Sequence, residues 1–302
     1  MQPRRSTGMP TVDAQSDFSR ALRRNHLARL AGRLRREPDD IEVVLPYEEV
    51  IEALGFVSKR SLGLQVVRLD SIIGSVDRTR DFDRSFRPTT GRVRQRWERI
   101  DAAMRRGESM PPVSLLRIGE IHFVEDGHHR ISVARALGWD VIDAFVTEVL
   151  TRVGASRTIL LSDLPFKSHE RLFWERVPLP PAVRDELRLS DPWDYAKLAE
   201  GVEAWGFRAM QARQEFLDRA SVAQLWWKEE YQPVVALLRE ARLLGSGTEA
   251  DAYLRVADER YRLLRTHEWS KDVVNRLARK LRRSSQARPS MRRLRPDSGS
   301  NS

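Results

Sequence analysis

Between Val113 and Val146 the chain sets strand-like apolar runs between glycines, and no other segment limits the fold as much. Val113 to Arg117 reads as a strand, Gly119-Glu120 as a two-residue turn, and Ile121 to Val124 as the returning strand. Asp126-Gly127 breaks that strand. Ile131, Ala134 and Leu137 then mark the buried face of a short helix, Gly138 stands where a helix ends, and Val141 to Val146 forms a further strand. A strand that passes through Asp126-Gly127-His128-His129-Arg130 into a helix leaves the first helical amides without intrahelical acceptors. Those amides point outward at the positive end of the macrodipole, so the terminus is an anion site in waiting. Gly127 permits a tight turn and close approach of a ligand, and Arg130 offers a forked donor suited to phosphate. His128 and His129 can donate hydrogen bonds or transfer protons, and Asp126 can cap the turn or hold a histidine or a metal. Adjacent helical residues point about 100° apart, so no metal site built on both histidines is expected.

Elsewhere the pattern is simpler. Residues 1–17 are polar and read as disordered, and Phe18, Leu22, Leu27, Leu30, Ala31 and Leu34 then recur at near-helical spacing among arginines. The spacing predicts a basic amphipathic helix that stops before Pro38, and its own protein is the expected surface beneath it, ahead of nucleic acid or an anionic membrane. Ile41 to Leu45 precedes Pro46 and a helical turn ending near Gly55; Leu64 to Leu69 reads as a strand bounded by Gly63 and Asp70. A polar loop, Asp77 to Asp83, leads to a helix over Arg92 to Arg106 with Val93, Trp97, Ile100 and Met104 on one stripe. Past Ser162, Pro165, Pro178, Pro180 and Pro181 suggest an irregular connection, followed by helices near 192–218, 221–242, 248–266 and 268–283. Trp226-Trp227, Tyr231, Tyr253 and Tyr261 fit core and interface positions better than a base-stacking platform. The Ser-, Pro- and Arg-rich tail is too poor in apolar residues to fold. These readings divide the chain into a basic arm with its helix (1–37), a domain that carries the Asp126–Arg130 loop (38–162), an α-helical domain (163–283) and a disordered basic tail (284–302).

Charge is unevenly placed. The net formal charge is +10. Residues 1–37 hold nine arginines against three acids, a net of +6, and residues 276–302 hold nine cations against Asp297, a net of +8. Subtracting both from +10 leaves −4 for residues 38–275, so the basicity lies in two arms suited to phosphate backbones or anionic surfaces. Within the C-terminal arm, Arg279, Lys280, Arg282 and Arg283 are the nucleic-acid candidates, and without base-reading elements their contacts would be sequence-independent. The absence of cysteine excludes disulfides, thiolate metal sites and cysteine nucleophiles. No run approaches the ~18 apolar residues of a membrane span, and a cytoplasmic protein is expected.

From Val66 to Glu148, a little over a quarter of the chain, the order of pieces resembles the ParB/sulfiredoxin superfamily. The strand VVRLDSI, a polar loop, a helix ending near Arg106, the hairpin PPVSLLRIGEIHFV, the loop-helix DGHHRISVARALG and the strand VIDAFVTEV follow one another as they do there. Chromosome-partitioning ParB proteins carry Gly-Glu-Arg-Arg at this loop to hold a cytidine nucleotide. Sulfiredoxins carry Gly-Cys-His-Arg with a nucleophilic cysteine and ATP at the helix terminus, and related free-serine kinases carry Asp-Gly-His-Thr-Arg. Gly127 and Arg130 match all three patterns; Asp126 and His128 match the kinase-like one, and His129 the sulfiredoxin histidine. His128 stands where the sulfiredoxin nucleophile would be, which excludes sulfinic-acid reduction, and the second Arg of the ParB box is absent.

The resemblance implies an α+β fold: a small mixed ParB/sulfiredoxin-like domain followed by an α-helical C-terminal domain. It implies nucleotide binding (ATP, ADP or CTP, with Mg²⁺ as companion) through Asp126, Gly127, His128, His129, Arg130 and Arg80, in a regulatory or DNA-associated protein. The alternative is a small-molecule kinase or other phosphotransferase, or a nucleotide hydrolase. Its carboxylate would come from Asp81 or Asp77, with Asp83 a further candidate, Arg78 a second phosphate ligand and His128 at the reacting centre. A protein partner for the helical domain is the remaining expectation.

Overall fold

Glycines and apolar alternation place the hairpin where the sequence puts it. In the computed structural model β4 (Val113–Ile118) turns at Gly119, which takes φ +56°, and returns as β5 (Ile121–Asp126). The structure describes residues 7–35, 42–184 and 186–286, without side chains for 281–286. The chain divides into two compact units, Met1–Leu172 and Phe173–Ser302.

The first unit is built on a six-stranded mixed sheet, in the order β1-β3-β5-β4-β6-β2. Its other strands are β1 (Leu45–Pro46), β2 (Phe56–Arg68), β3 (Ile72–Ser75) and β6 (Val141–Thr151). Strand β3 runs parallel to β5, with Ser75 opposite Val124, so the loops that leave both strands emerge at the same edge of the sheet. That parallel pairing sets the Asp77 loop beside Asp126-Gly127. The helices are α1 (Pro10–Arg35), α2 (Tyr47–Leu54), α3 (Arg94–Arg105) and α4 (His128–Leu137). Trp97 of α3, Ile131 and Ala134 of α4, and Val113, Leu115, Ala144 and Val146 of the sheet close one core. Phe18 of α1 joins it, edge-on to Trp97 with ring centroids 5.6 Å apart.

Several expectations change here. Residues 10–17, read as disordered, form the first turns of α1: Pro10 opens the helix, where its missing N–H costs nothing, and Asp13 accepts from the backbone N–H and hydroxyl of Thr7. The first six residues lie outside the described ones. Strand β2 is not bounded by Gly63 but runs through it, with a register shift between Ser61 and Gly63 that the positive φ of Gly63 accommodates. Strand β3 is an addition; its Ile72-Ile73 pair is too short for alternation to register.

Helix α5 (Leu164–Arg176) occupies part of the stretch read as irregular, because Pro165 falls in its first turn, where proline is tolerated. The division between units lies within α5, ten residues past the expected boundary at 162. The second unit is helical: α6 (Pro181–Arg184), α7 (Asp194–Arg213), α8 (Arg219–Trp226), α9 (Gln232–Glu240), α10 (Glu249–Leu264) and α11 (Lys271–Gln286). A π-helical stretch, Trp227–Tyr231, joins α8 to α9 and divides the expected 221–242 helix. Trp226, Tyr231 and Tyr253 are buried against one another, as core residues, whereas Tyr261 is exposed.

Candidate functional site

Gly127 fixes the site. It takes φ +102° between β5 and α4, and a Cβ there would stand 2.4 Å from Val113 Cγ1, so conformation and space both require glycine. The first intrahelical bond of α4 runs from Ile131 N–H to Gly127 O, which leaves the amides of His128, His129 and Arg130 without intrahelical acceptors. Gly127 has no side chain to cap them. They face a cavity of about 120 Å³ bordered by Asp77 and Arg78 from the loop after β3, by Arg96 and Ile100 of α3, and by Glu125 to Arg130.

His128 is buried. Its Nε2 lies 2.7 Å from Ser75 Oγ and 3.5 Å from Asp77 Oδ1, and its ring stacks on Phe82 with centroids 6.3 Å apart. Ser75 Oγ also accepts from the Arg78 N–H at 3.0 Å, which pins the loop to β3. Burial pushes the His128 ring down to about 4, against the opposing pull of Asp77. His129 sits edge-on to Phe82 at 5.4 Å and is pushed down to about 4 by burial and then by Arg96 and Arg78. Both imidazoles are therefore neutral at pH 7 and add no positive charge to the cavity. Neutral His128 keeps acid–base capacity, with the exposed Asp77 carboxylate beside it.

Arg130 is placed otherwise than expected. Its Nη1 donates to the carbonyls of Pro111 and Pro112 and its Nη2 to Asp126 Oδ2 at 2.5 Å, so the forked end braces the loop before β4. Arg130 still borders the cavity, beside the exposed Arg96 and beside Arg78, whose guanidinium is paired with Asp81. Arg80 is exposed and does not border it; its backbone carbonyl accepts from Thr89 Oγ1 at 2.6 Å. Asp81 does not line the cavity either and pairs with Arg78 at 3.4 Å. Asp83 is buried away from it, accepting from Asn25 Nδ2 and the Arg87 N–H at 2.8 Å each and pairing with the Arg87 guanidinium. Of the loop carboxylates only Asp77 reaches the site. Among the described residues no group of three or more His, Asp or Glu side chains is assembled to hold a metal ion.

Sequence reasoning missed Ser75, Arg96 and Glu125. The positions of Ser75 and Arg96 depend on tertiary packing, the parallel β3–β5 pair and the docking of α3 on α4, and leave no local signature. Glu125 was within reach, one residue before the loop already singled out. In the second unit Arg279 and Lys280 lie on the exposed side of α11, opposite buried Val274, Leu277 and Ala278. The side chains of Arg282 and Arg283, and the tail from 287, lie outside the described residues. No helix of the described chain is long and apolar enough to cross a membrane. No protein-family model matches the chain, and no curated protein or solved structure matches it.

Proposed function

We propose that the first unit binds the phosphate end of a nucleotide at the amino terminus of α4, as the ParB/sulfiredoxin resemblance implies. The observation that carries this reading is the bare terminus: three amides without intrahelical acceptors, no side-chain cap, and Arg78 and Arg96 at the rim of one cavity. Size supports phosphate as the recognised part. A volume of about 120 Å³ is several times the ~10–15 Å³ that one water needs on the same measure, room enough for a phosphoryl group. If Mg²⁺ accompanies the phosphates, Asp77 and Glu125 are the rim carboxylates of the kind it takes, and the ion would neutralise phosphate charge.

Thermal stability in the presence of ATP, ADP, CTP and GTP, with and without Mg²⁺, tests the reading. Ligand at a hundred times its Kd adds about 2.7 kcal/mol to a folded state that alone binds it, and the shift should vanish in Arg96→Ala and shrink in Arg78→Ala. A wild type unmoved by every nucleotide at low salt sinks the proposal. Arg130→Ala is a poor probe, since it releases the Pro111 and Pro112 carbonyls whether or not a ligand binds.

The placement of Asp77, exposed and 3.5 Å from neutral His128, favours one second reading: phosphoryl transfer to a small hydroxyl compound. Release of ADP in the same samples, lost in Asp77→Asn while the thermal shift persists, would favour it over binding alone.

A further inference from the structure

Helix α1 carries two triplets of identical spacing, one buried and one apolar but exposed. Phe18, Ala21 and Asn25 face the first unit and are buried. Leu27, Leu30 and Leu34 repeat the same i, i+3, i+7 steps nine residues later, and nine residues are about two and a half helical turns. The second triplet therefore lies on the opposite side of the helix from the first. Among the described residues nothing covers it: Leu27, Leu30 and Leu34 are 64%, 55% and 86% exposed.

The stripe has a charged frame. At 3.6 residues per turn Arg33 flanks it on one side, Arg24 and Arg35 on the other, and Arg23 continues it one turn earlier. All four are exposed, and no acidic residue occurs between Asp17 and Glu37. A surface that meets these arginines must also meet the leucines between them. Duplex DNA answers the cations alone, since its backbone offers phosphates and leaves leucine side chains wet. The headgroup–acyl boundary of an anionic bilayer answers both, taking leucines to a shallow depth while the arginine stems snorkel to lipid phosphates.

We propose that the second half of α1, His26 to Arg35, is a peripheral docking surface for an anionic membrane, lying in the plane of the interface with its leucine stripe inward. This surface is separate from the α4 cavity and does not depend on what binds there.

The test is co-sedimentation of the full chain with vesicles of phosphatidylcholine alone or with about a third phosphatidylserine. The wild type should pellet with the anionic vesicles only, and less so as salt is raised. The triple variant Leu27→Ala/Leu30→Ala/Leu34→Ala keeps the charge and the helix propensity, and exposed positions of this kind hardly affect folding. It should bind about tenfold or more weakly, because only the apolar contact is removed. Circular dichroism and an unchanged unfolding midpoint would establish that the variant is folded. Wild type left in the supernatant with anionic vesicles overturns the proposal. So does a folded triple variant that binds them as well as wild type, which would assign the binding to charge alone. Binding to duplex DNA that is lost with the leucines, without vesicle binding, would assign the face to another partner and overturn it too.

Discussion

Burial holds the rings of His122, His128 and His129 at about 4, well below the usual 6.5 of an imidazole. His122 shares its Nδ1 with Ser71 Oγ at 2.9 Å in the same way that His128 shares Nε2 with Ser75. The sign of the linkage follows from the depressed folded values. Above pH 6.5 each ring is neutral in both folded and unfolded chains and costs nothing. Between 6.5 and 4 the unfolded chain takes up protons that the folded one refuses, so stability falls as pH falls. Each shift corresponds to roughly 3 kcal/mol at full effect, less where solvent reaches the ring. Urea unfolding should therefore show a midpoint that declines from neutral pH to about 4.5, and His128→Gln/His129→Gln should flatten that decline while lowering the neutral-pH value. An unchanged slope in the double variant would mean that these rings are not buried neutral. The same values bear on the site: any anion held there is held by amides and arginines.

Among the elements, α1 and α3 are joined by one cation. Arg105 of α3 reaches Asp17 and Asp13 of α1 and Asp101 of its own helix, and it is only 16% exposed at the side chain. Removing a partner from a buried ionic cluster leaves uncompensated charge and costs several kcal/mol, whereas a surface pair is worth at most about 1 kcal/mol. Arg105→Met should lower unfolding stability by about 3 kcal/mol or more, and Arg106→Ala, which breaks the exposed pair with Glu108, by about 1 kcal/mol or less. Equal effects of the two would refute the clamp. This joint was not legible in the sequence, because Asp13, Asp17 and Arg105 are far apart and only the helix packing gathers them. The hairpin and α4 were legible, since Gly119, Gly127 and Gly138 each mark a positive φ that the chain needs at that point. In α1 the period was read correctly but as a single face. Leu27, Leu30 and Leu34 belong to the side opposite Phe18, a distinction visible in the nine-residue offset and overlooked. At the site the loop Asp126 to Arg130 announced itself, but the part each side chain plays did not. Arg130 is occupied by the carbonyls of Pro111 and Pro112, 19 and 18 residues earlier, which the pairing of β4 with β5 brings beside it.

At the scale of the whole molecule the charge is sorted by position, with a net of −4 over residues 38–275 and +8 over residues 276–302. A chain arranged in this way can hold a polyanion at its C-terminal end without drawing it onto the acidic middle. Helix α11 carries Arg279 and Lys280 on its exposed side while Val274, Leu277 and Ala278 anchor it, and Lys280 Nζ also donates to the Leu263 carbonyl at 3.0 Å, so these cations have a fixed base. Our proposal for this face is a sequence-independent contact with the phosphates of duplex DNA. Affinity should then fall with salt, with a slope of about −0.9 for each phosphate neutralised, and unrelated duplexes of equal length should bind alike. Reversing both charges, Arg279→Glu/Lys280→Glu, should reduce the slope by about 2 and weaken binding by about tenfold or more at low salt. Fluorescence anisotropy across a salt series reads both quantities. An unchanged slope would release α11 from any part in binding, and strong preference for one duplex would require a base-reading element that none of the described helices of the second unit has been assigned.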